Sequence, residues 1–381
     1  MKSFDGHIAE LLEELRCKGM LRELPSGCDW LIDLCSNDYL GFARSSILRE
    51  QIAAQLLIAE KQVGSTGSRL LTGNSLLAEE TESRVASWLR GKAALLFSTG
   101  YAANVGLLSA VAGREDVVLY DELVHASIRD GIRLSGAKGW KFRHNDLSDL
   151  EALIRRAPRR GRIVVVVEGV YSMDGDRAPL EKIVELCEKN GCDCIVDEAH
   201  STGILGPHGA GLVVEQGLEN RVAARVHTFG KAAGVHGAAV VGSEQLRCLL
   251  INRARSFIYS TAPADSFFIA IGEAAKTLAG SEGEQARKLL WERIQQMKLI
   301  LARIGFDWEG MSPIFPFIFP GVSRVRQAAA IAREAGFHVL PIVSPTVPAG
   351  LERIRLCLHS FDTVASYRDI IELLSSARVG G

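Results

Sequence analysis

Between Ala93 and Gly242 the chain alternates short apolar runs with stretches of helical period, and that alternation leaves few folds open. The runs are AALLF (93–97), DVVLYD (116–121), WKFRH (140–144), IVVVVEG (163–169), CIVDEA (194–199), RVHTF (225–229) and GAAVVG (237–242). A strand that is apolar at successive positions must be covered on both faces, whereas a strand with one wet face alternates. Helical stretches such as YAANVGLLSAVAG and LSDLEALIRRA supply the covers. The pattern predicts an α/β unit with a mostly parallel central sheet and helices on both faces. From residue 276 it gives way to amphipathic helices (283–304, 323–335, 363–376) and strands at FPFIF and RIRLCL, the mark of a smaller α+β domain. The expected division is an N-terminal segment (1–45), a large domain (46–275) and a small C-terminal domain (276–381).

The chain has 381 residues, 47% of them hydrophobic, and a formal net charge of −1. It is long enough for a large core and too balanced in charge for a general binder of nucleic acid or membrane surfaces. The basic cluster RRAPRRGR (155–162) has no interleaved aromatics and reads as a solvated helix end and loop. No apolar run approaches the ~20 residues of a membrane span. The opening MKSFDGHIAELLEELRCKG carries acids at helical period, unlike a signal peptide. Eight cysteines, at positions 17, 28, 35, 187, 192, 194, 248 and 357, form no CxxC pair. They read as reduced thiols of a cytoplasmic protein, not as metal ligands or disulfides.

Ligands of open α/β sheets collect at the carboxyl ends of strands. Asp197, His200, Thr228 and Lys231 follow strand ends here, as do Ser98 to Tyr101, His125 and Ser172. A carboxylate at the position of Asp197 costs several kcal/mol unless it meets a cation. Two readings satisfy it. Lys231, in HTFGKAAG (227–234), is a structural ion-pair partner. Alternatively, Asp197 faces a protonated pyridine nitrogen while Lys231 holds an aldehyde, the pair that pyridoxal phosphate chemistry requires. STGYAAN (98–104) turns a strand into a helix whose N-terminus is a ready anion site, and Thr228 adds a hydroxyl. By itself it reads equally well as a plain strand-to-helix turn. No stretch fits the GxxxxGK[ST] phosphate loop. The glycines around Lys231 read as letting the backbone approach a flat ligand.

Other polar residues have blander readings. His125 falls in an amphipathic helical pattern, where a lone histidine is more often a core residue. His208, His227 and His236 read as structural or solvated. Arg353 and Arg355 alternate on a strand, so one faces a site and the other is solvated. Asp174 and Asp176 read as turn formers in SMDGD.

Seven segments, taken together, resemble the α-oxoamine synthases, a family of fold-type I pyridoxal-phosphate enzymes. They are SNDYLG (36–41), GSTGSRLLTGN (64–74), DELVHASI (121–128), EGVYSMDGD (168–176), VDEAHSTG (196–203), TFGK (228–231) and YSTA (259–262), in order and in register. The resemblance implies a homodimer with shared active sites that condenses an amino acid with an acyl-CoA or acyl-ACP thioester and releases carbon dioxide. It implies pyridoxal 5'-phosphate on Lys231, which also serves as the base at the amino-acid α-carbon, with Asp197 at the pyridine nitrogen. His125 would lie on the ring face, towards substrate, with His200 and Ser172 at the phenolic oxygen. Gly100, Tyr101 and Thr228 would hold the phosphate, joined by Thr261 from the neighbouring subunit. Arg355 and Asn37 would take the amino-acid carboxylate, and Arg22 and Thr346 the acyl substrate. No metal is implied.

Chain length, GPHGAGLV (206–213) and PTVPAG (345–350) look most like the branch that joins a pimeloyl thioester to L-alanine. Glycine with an acetyl or a succinyl donor is the alternative within the family, and aminotransferase chemistry the alternative outside it. Val343 stands where some members of the pimeloyl branch carry an arginine, which takes one partner from an acyl chain's far carboxylate.

Overall fold

The computed structural model describes residues 3–22, 24, 31–58, 63–158 and 160–379. Cys28 and Arg159, read above as a thiol and as part of the basic cluster, lie outside them. Strand β1 (Ile32–Asp33) belongs to a smaller unit, and the next seven strands build a larger one. These are β2 (Ala93–Phe97), β3 (Val117–Asp121), β4 (Lys138–Phe142), β5 (Ile163–Glu168), β6 (Asp193–Asp197), β7 (Ala224–Thr228) and β8 (Ala238–Gly242). They lie in the order β2-β8-β7-β6-β5-β3-β4. β8 runs antiparallel to both its neighbours, and every other pair is parallel. The expected mostly parallel sheet is therefore present.

Its strands are covered as their composition demands. Every residue of β2, β5 and β7 is buried. Val164, Val166, Ile195, Val226 and Val240 pack with Leu107, Leu108 and Ile128 of the covering helices, and each such side chain contributes roughly 1.5–3 kcal/mol. The helices start where side chains cap them. Thr99, His125 and Asp146 accept the N–H groups of Ala102, Ser127 and Asp149, opening helices Gly100–Val111, Ala126–Ser135 and Leu147–Arg156. His125 is thus a cap at a helix entrance, not a residue of the helix face, and its Nδ1 is committed to the turn.

The larger unit comprises Asn37–Ser172 and Asp176–Trp291; the smaller comprises Met1–Ser36, Met173–Gly175 and Glu292–Gly381. The smaller holds β9 (Ile314–Ile318), β10 (Phe337–His338), β11 (Pro341–Ile342) and β12 (Arg353–Cys357). β10 pairs in parallel with β1, and β11-β12-β9 form an antiparallel sheet. Helices Val322–Glu334 and Val364–Val379 accompany them. The expectation that one arginine of β12 faces a site and the other is solvated fails, because residues two apart on a strand share a face and Arg353 is covered. It is 3% exposed and donates to the Asp174 carboxylate and to the carbonyls of Met173 and Leu351. A guanidinium on a covered face persists only with such partners. Among the described residues, no helix is long and apolar enough to cross a membrane.

Candidate active site

A cavity of about 280 Å³ opens at the carboxyl ends of β5, β6 and β7, close to the lower end of small-molecule sites, which span roughly 300–1,000 Å³. Its wall brings together Asn37, Gly100, Tyr101, His125, Ser172, Asp197, His200, Thr228 and Lys231. Asp197 is 4% exposed, and both its oxygens accept N–H donors, as a carboxylate does. Asn104 Nδ2 donates to Oδ2 at 2.7 Å and the Ala199 amide to Oδ1 at 2.9 Å. Lys231 Nζ donates to Thr228 Oγ1 at 3.4 Å. Tyr39 joins two further wall residues: its hydroxyl donates to Asn37 Oδ1 at 2.9 Å and lies 2.8 Å from His200 Nδ1.

At the start of helix Gly100–Val111, Thr99 already takes the N–H groups of Ala102 and Ala103. Gly100 and Tyr101 supply the remaining first-turn N–H groups at the cavity wall, the donors an anion takes at a helix N-terminus. Gly100 is required for packing, since a Cβ there would come within 2.5 Å of Thr228 Cγ2. The glycine reading at Lys231 needs correction for Gly234. Its φ of +69° and its approach to the Phe42–Ala43 backbone, 2.2 Å from a built Cβ, demand glycine for the turn itself, not for a ligand.

Four sequence-selected residues are not among these wall residues. Thr261 is exposed, in a segment whose Ala262 amide donates to the Gly67 carbonyl of GSTGSRLLTGN. Arg22, Thr346 and Arg355 belong to the smaller unit. There, Arg22 donates to Thr346 Oγ1 at 3.3 Å, and Arg355 lies on β12 with a guanidinium nitrogen 3.5 Å from the Cys35 carbonyl.

The sequence reading passed over three wall residues. Asn104 sat within a quoted segment without a role, and His236 was set aside as structural although it lines the cavity. Glu168 ends β5 as Asp197 ends β6, so the same strand-end signal could have found it. It is 3% exposed and accepts the His125 amide at 2.6 Å. Burial, and then the neighbouring Asp197 charge, hold its carboxyl well above the usual range. Burial also pushes the His125 imidazole below its ordinary value; Lys231 and Arg129 act in the same direction and Asp197 against it. His227 is fully buried, with Nδ1 2.9 Å from Thr202 Oγ1.

A phosphorylated pyridine aldehyde fits these residues. The carboxylate is buried at the cavity wall, the helix N-terminus offers donors, and one lysine amine lies beside Thr228. Among the described residues, no cluster of three or more His, Cys, Asp or Glu could hold a metal ion.

The family described as Aminotransferase class I and II matches residues 30–371. An 8-amino-7-oxononanoate synthase of Anaeromyxobacter dehalogenans is 40% identical, over 96% of this chain and 94% of its own. Serine palmitoyltransferase from S. paucimobilis, solved with a bound PLP–myriocin aldimine, superposes with a TM-score of 0.89 at 28% identity, over 99% of this chain and 98% of that one. The 8-amino-7-oxononanoate synthase of Francisella tularensis superposes with a TM-score of 0.77 at 26% identity, over 91% and 98%.

Proposed function

The chain belongs to the class I and II aminotransferase family and, within it, to the α-oxoamine synthases; on that premise we propose that it condenses an amino acid with an acyl thioester, with loss of carbon dioxide. The favoured pair is L-alanine with pimeloyl-CoA or pimeloyl-ACP, giving 8-amino-7-oxononanoate. The observation that carries this choice is the extended identity with synthases of that name.

Pyridoxal phosphate, when bound, supplies an aldehyde that captures amines and a pyridine ring that withdraws electrons from the adjoining carbon. Lys231 Nζ would hold that aldehyde and would take and return the proton at the amino-acid α-carbon. Asp197, oriented by Asn104 and the Ala199 amide, would keep the pyridine nitrogen protonated. The N–H groups of Gly100 and Tyr101 and the Thr228 hydroxyl hold the phosphate. His125 would cover the ring, and His200 and Ser172 would meet the phenolic oxygen. Asn37 and Arg355 for the carboxylate, and Arg22 and Thr346 for the acyl group, are assigned by their motifs alone.

The reading includes a cytoplasmic homodimer. Thr261 is exposed, and the segments around it present the exposed apolar residues Leu70, Leu71 and Tyr259, a surface suited to a second copy. Sedimentation at assay concentration should therefore find a dimer. A fully active monomer would refute shared sites.

The acyl group is decided by competition. Pimeloyl, acetyl, succinyl and palmitoyl thioesters are offered with alanine, glycine or serine, and kcat/KM is read from released thiol. Palmitoyl and serine are included because of the serine palmitoyltransferase likeness. Pimeloyl with alanine should win; preference for any other pair reassigns the substrate while leaving the chemistry of Lys231 in place.

A further inference from the structure

His125, Ser127, Asn104 and Asp197 form one hydrogen-bonded chain, three links long, along the cavity wall. Asn104 comes from helix Gly100–Val111, Ser127 from the first turn of helix Ala126–Ser135, and Asp197 from the end of β6. Asn104 is 3% exposed and Ser127 fully buried, so water does not compete for these groups. Asn104 Nδ2 lies 2.7 Å from Asp197 Oδ2 and 3.0 Å from Ser127 Oγ. Ser127 Oγ lies 2.7 Å from His125 Nδ1, and the Ser127 amide approaches the same nitrogen at 3.3 Å.

The hydrogens of this chain can be placed by elimination. A reversed Asn104 amide would set its carbonyl oxygen against the Asp197 carboxylate, so the NH₂ group must face that way. One of its two hydrogens goes to Asp197 and the other to Ser127 Oγ. The Ser127 oxygen is then an acceptor from Asn104, and its own hydrogen is left for His125. Nδ1 already faces the Ser127 amide hydrogen, so it must accept from both.

We infer that Asn104 and Ser127 are positioning residues that, anchored on Asp197, orient their hydrogens so that His125 Nδ1 accepts, fixing its imidazole as the neutral tautomer protonated at Nε2. His125 then meets a ligand as a hydrogen-bond donor and cannot serve as a general base. The ligand chemistry that suits it is an oxygen acceptor, a carboxylate or a thioester carbonyl. The titratable and charged groups around the ring are Asp197 and Lys231 at the cavity, Arg129 and Asp130 on its own helix, and the Glu168 carboxyl at its backbone amide. The tautomer rests on these contacts alone, whereas the donor role rests on the function proposed above.

The tautomer can be read directly. The full-length chain is labelled with ¹⁵N-histidine, without added cofactor, and His125 is assigned by the signal lost in His125→Gln. Between about pH 6 and 8, the range over which imidazoles titrate, a neutral ring protonated at Nε2 is expected. Ser127→Ala should raise the Nδ1-protonated form about fivefold to tenfold, the size of one lost hydrogen bond. Ser127→Thr, which keeps a hydroxyl, should restore the wild-type ratio, and Asn104→Leu should act like Ser127→Ala. Wild-type His125 protonated at Nδ1, or charged at neutral pH, overturns the inference. So does an unchanged ratio in a folded Ser127→Ala or Asn104→Leu chain. Because no turnover is measured, these outcomes do not depend on the proposed reaction.

Discussion

His125 and His144 follow the carboxyl ends of neighbouring parallel strands, β3 and β4, yet their imidazoles are pushed in opposite directions. Burial pushes the His125 imidazole below its ordinary value, and its Nδ1 is met by Ser127, a neutral partner. Burial also works against a charge on His144, but there it loses. Hydrogen bonds to Asp121 at 3.0 Å and Asp176 at 2.8 Å outweigh it and push the group up to about 10. The partners, not the depth, decide the charge. The difference separates two jobs. The cavity keeps its histidine neutral beside groups suited to chemistry, whereas the His144 clamp ties β3 to the segment that carries Ser172, with the Tyr171 ring packed edge-on at 4.5 Å.

That separation can be broken by variants that cross it. Lys231→Ala should have the largest effect on the cavity side, a loss in kcat of about 10⁴-fold or more, because one amine is both nucleophile and base. Its unfolding midpoint should stay within a few degrees of wild type, and borohydride reduction of the wild type should leave the cofactor's label on Lys231. A label on another lysine would move the site. Asp197→Asn should cost about 10²–10³-fold, the size of one well-placed electrostatic partner, with cofactor still bound. Normal exchange of the amino-acid α-proton in that variant would remove the pyridine-partner role.

The sheet and most of the cavity were legible for one physical reason: a polar residue at the end of a buried strand is costly and therefore conspicuous. Asp197, Thr228 and Lys231 were found this way, and Glu168 obeys the same rule. The reversal of β8 was also within reach, because residues 229–237 are too few for the dozen or more that a parallel crossover needs. Asn104 was not legible. It sits in AANVG on the covered face of a helix, where its neighbours read as plain core, and only the approach of Asp197 gives it a role. Arg353 failed for a related reason. Residues two apart on a strand share a face, so the period cannot separate Arg353 from Arg355, and only the nearby Asp174 shows why Arg353 is covered.

On the clamp side, His144→Asn should lower stability by about 2–3 kcal/mol at neutral pH, the worth of hydrogen bonds to charged groups. The sign follows from the raised value. The contribution is complete below the unfolded-state pKa of 6.5 and is lost as pH climbs to about 10. Wild-type stability should therefore decline over that window and the variant's should be flatter. Denaturant unfolding at several pH values reads both curves. A variant with normal stability but crippled turnover would erase the distinction between clamp and cavity.

The smallest effect is expected at Glu168, which tests the neutral side of the comparison. This carboxyl is held well above the usual range by burial and by Asp197, so it keeps its proton to higher pH than an ordinary carboxyl while accepting the His125 amide. Glutamine reproduces that acceptor without a titrating proton. Glu168→Gln should therefore cost under about 1 kcal/mol at mildly acidic pH, since the hydrogen bond survives. A raised pKa contributes stability that is present below the ordinary carboxyl value and lost as pH rises through the folded-state value. The wild type should thus weaken relative to Glu168→Gln as pH increases, until the variant becomes the more stable chain. Unfolding free energies measured upward from the ordinary carboxyl value of 4.5 decide the matter. A loss of more than about 2 kcal/mol that does not change with pH would mean that Glu168 is ionised and its charge is needed, and the cavity would then hold two buried carboxylates beside a neutral histidine.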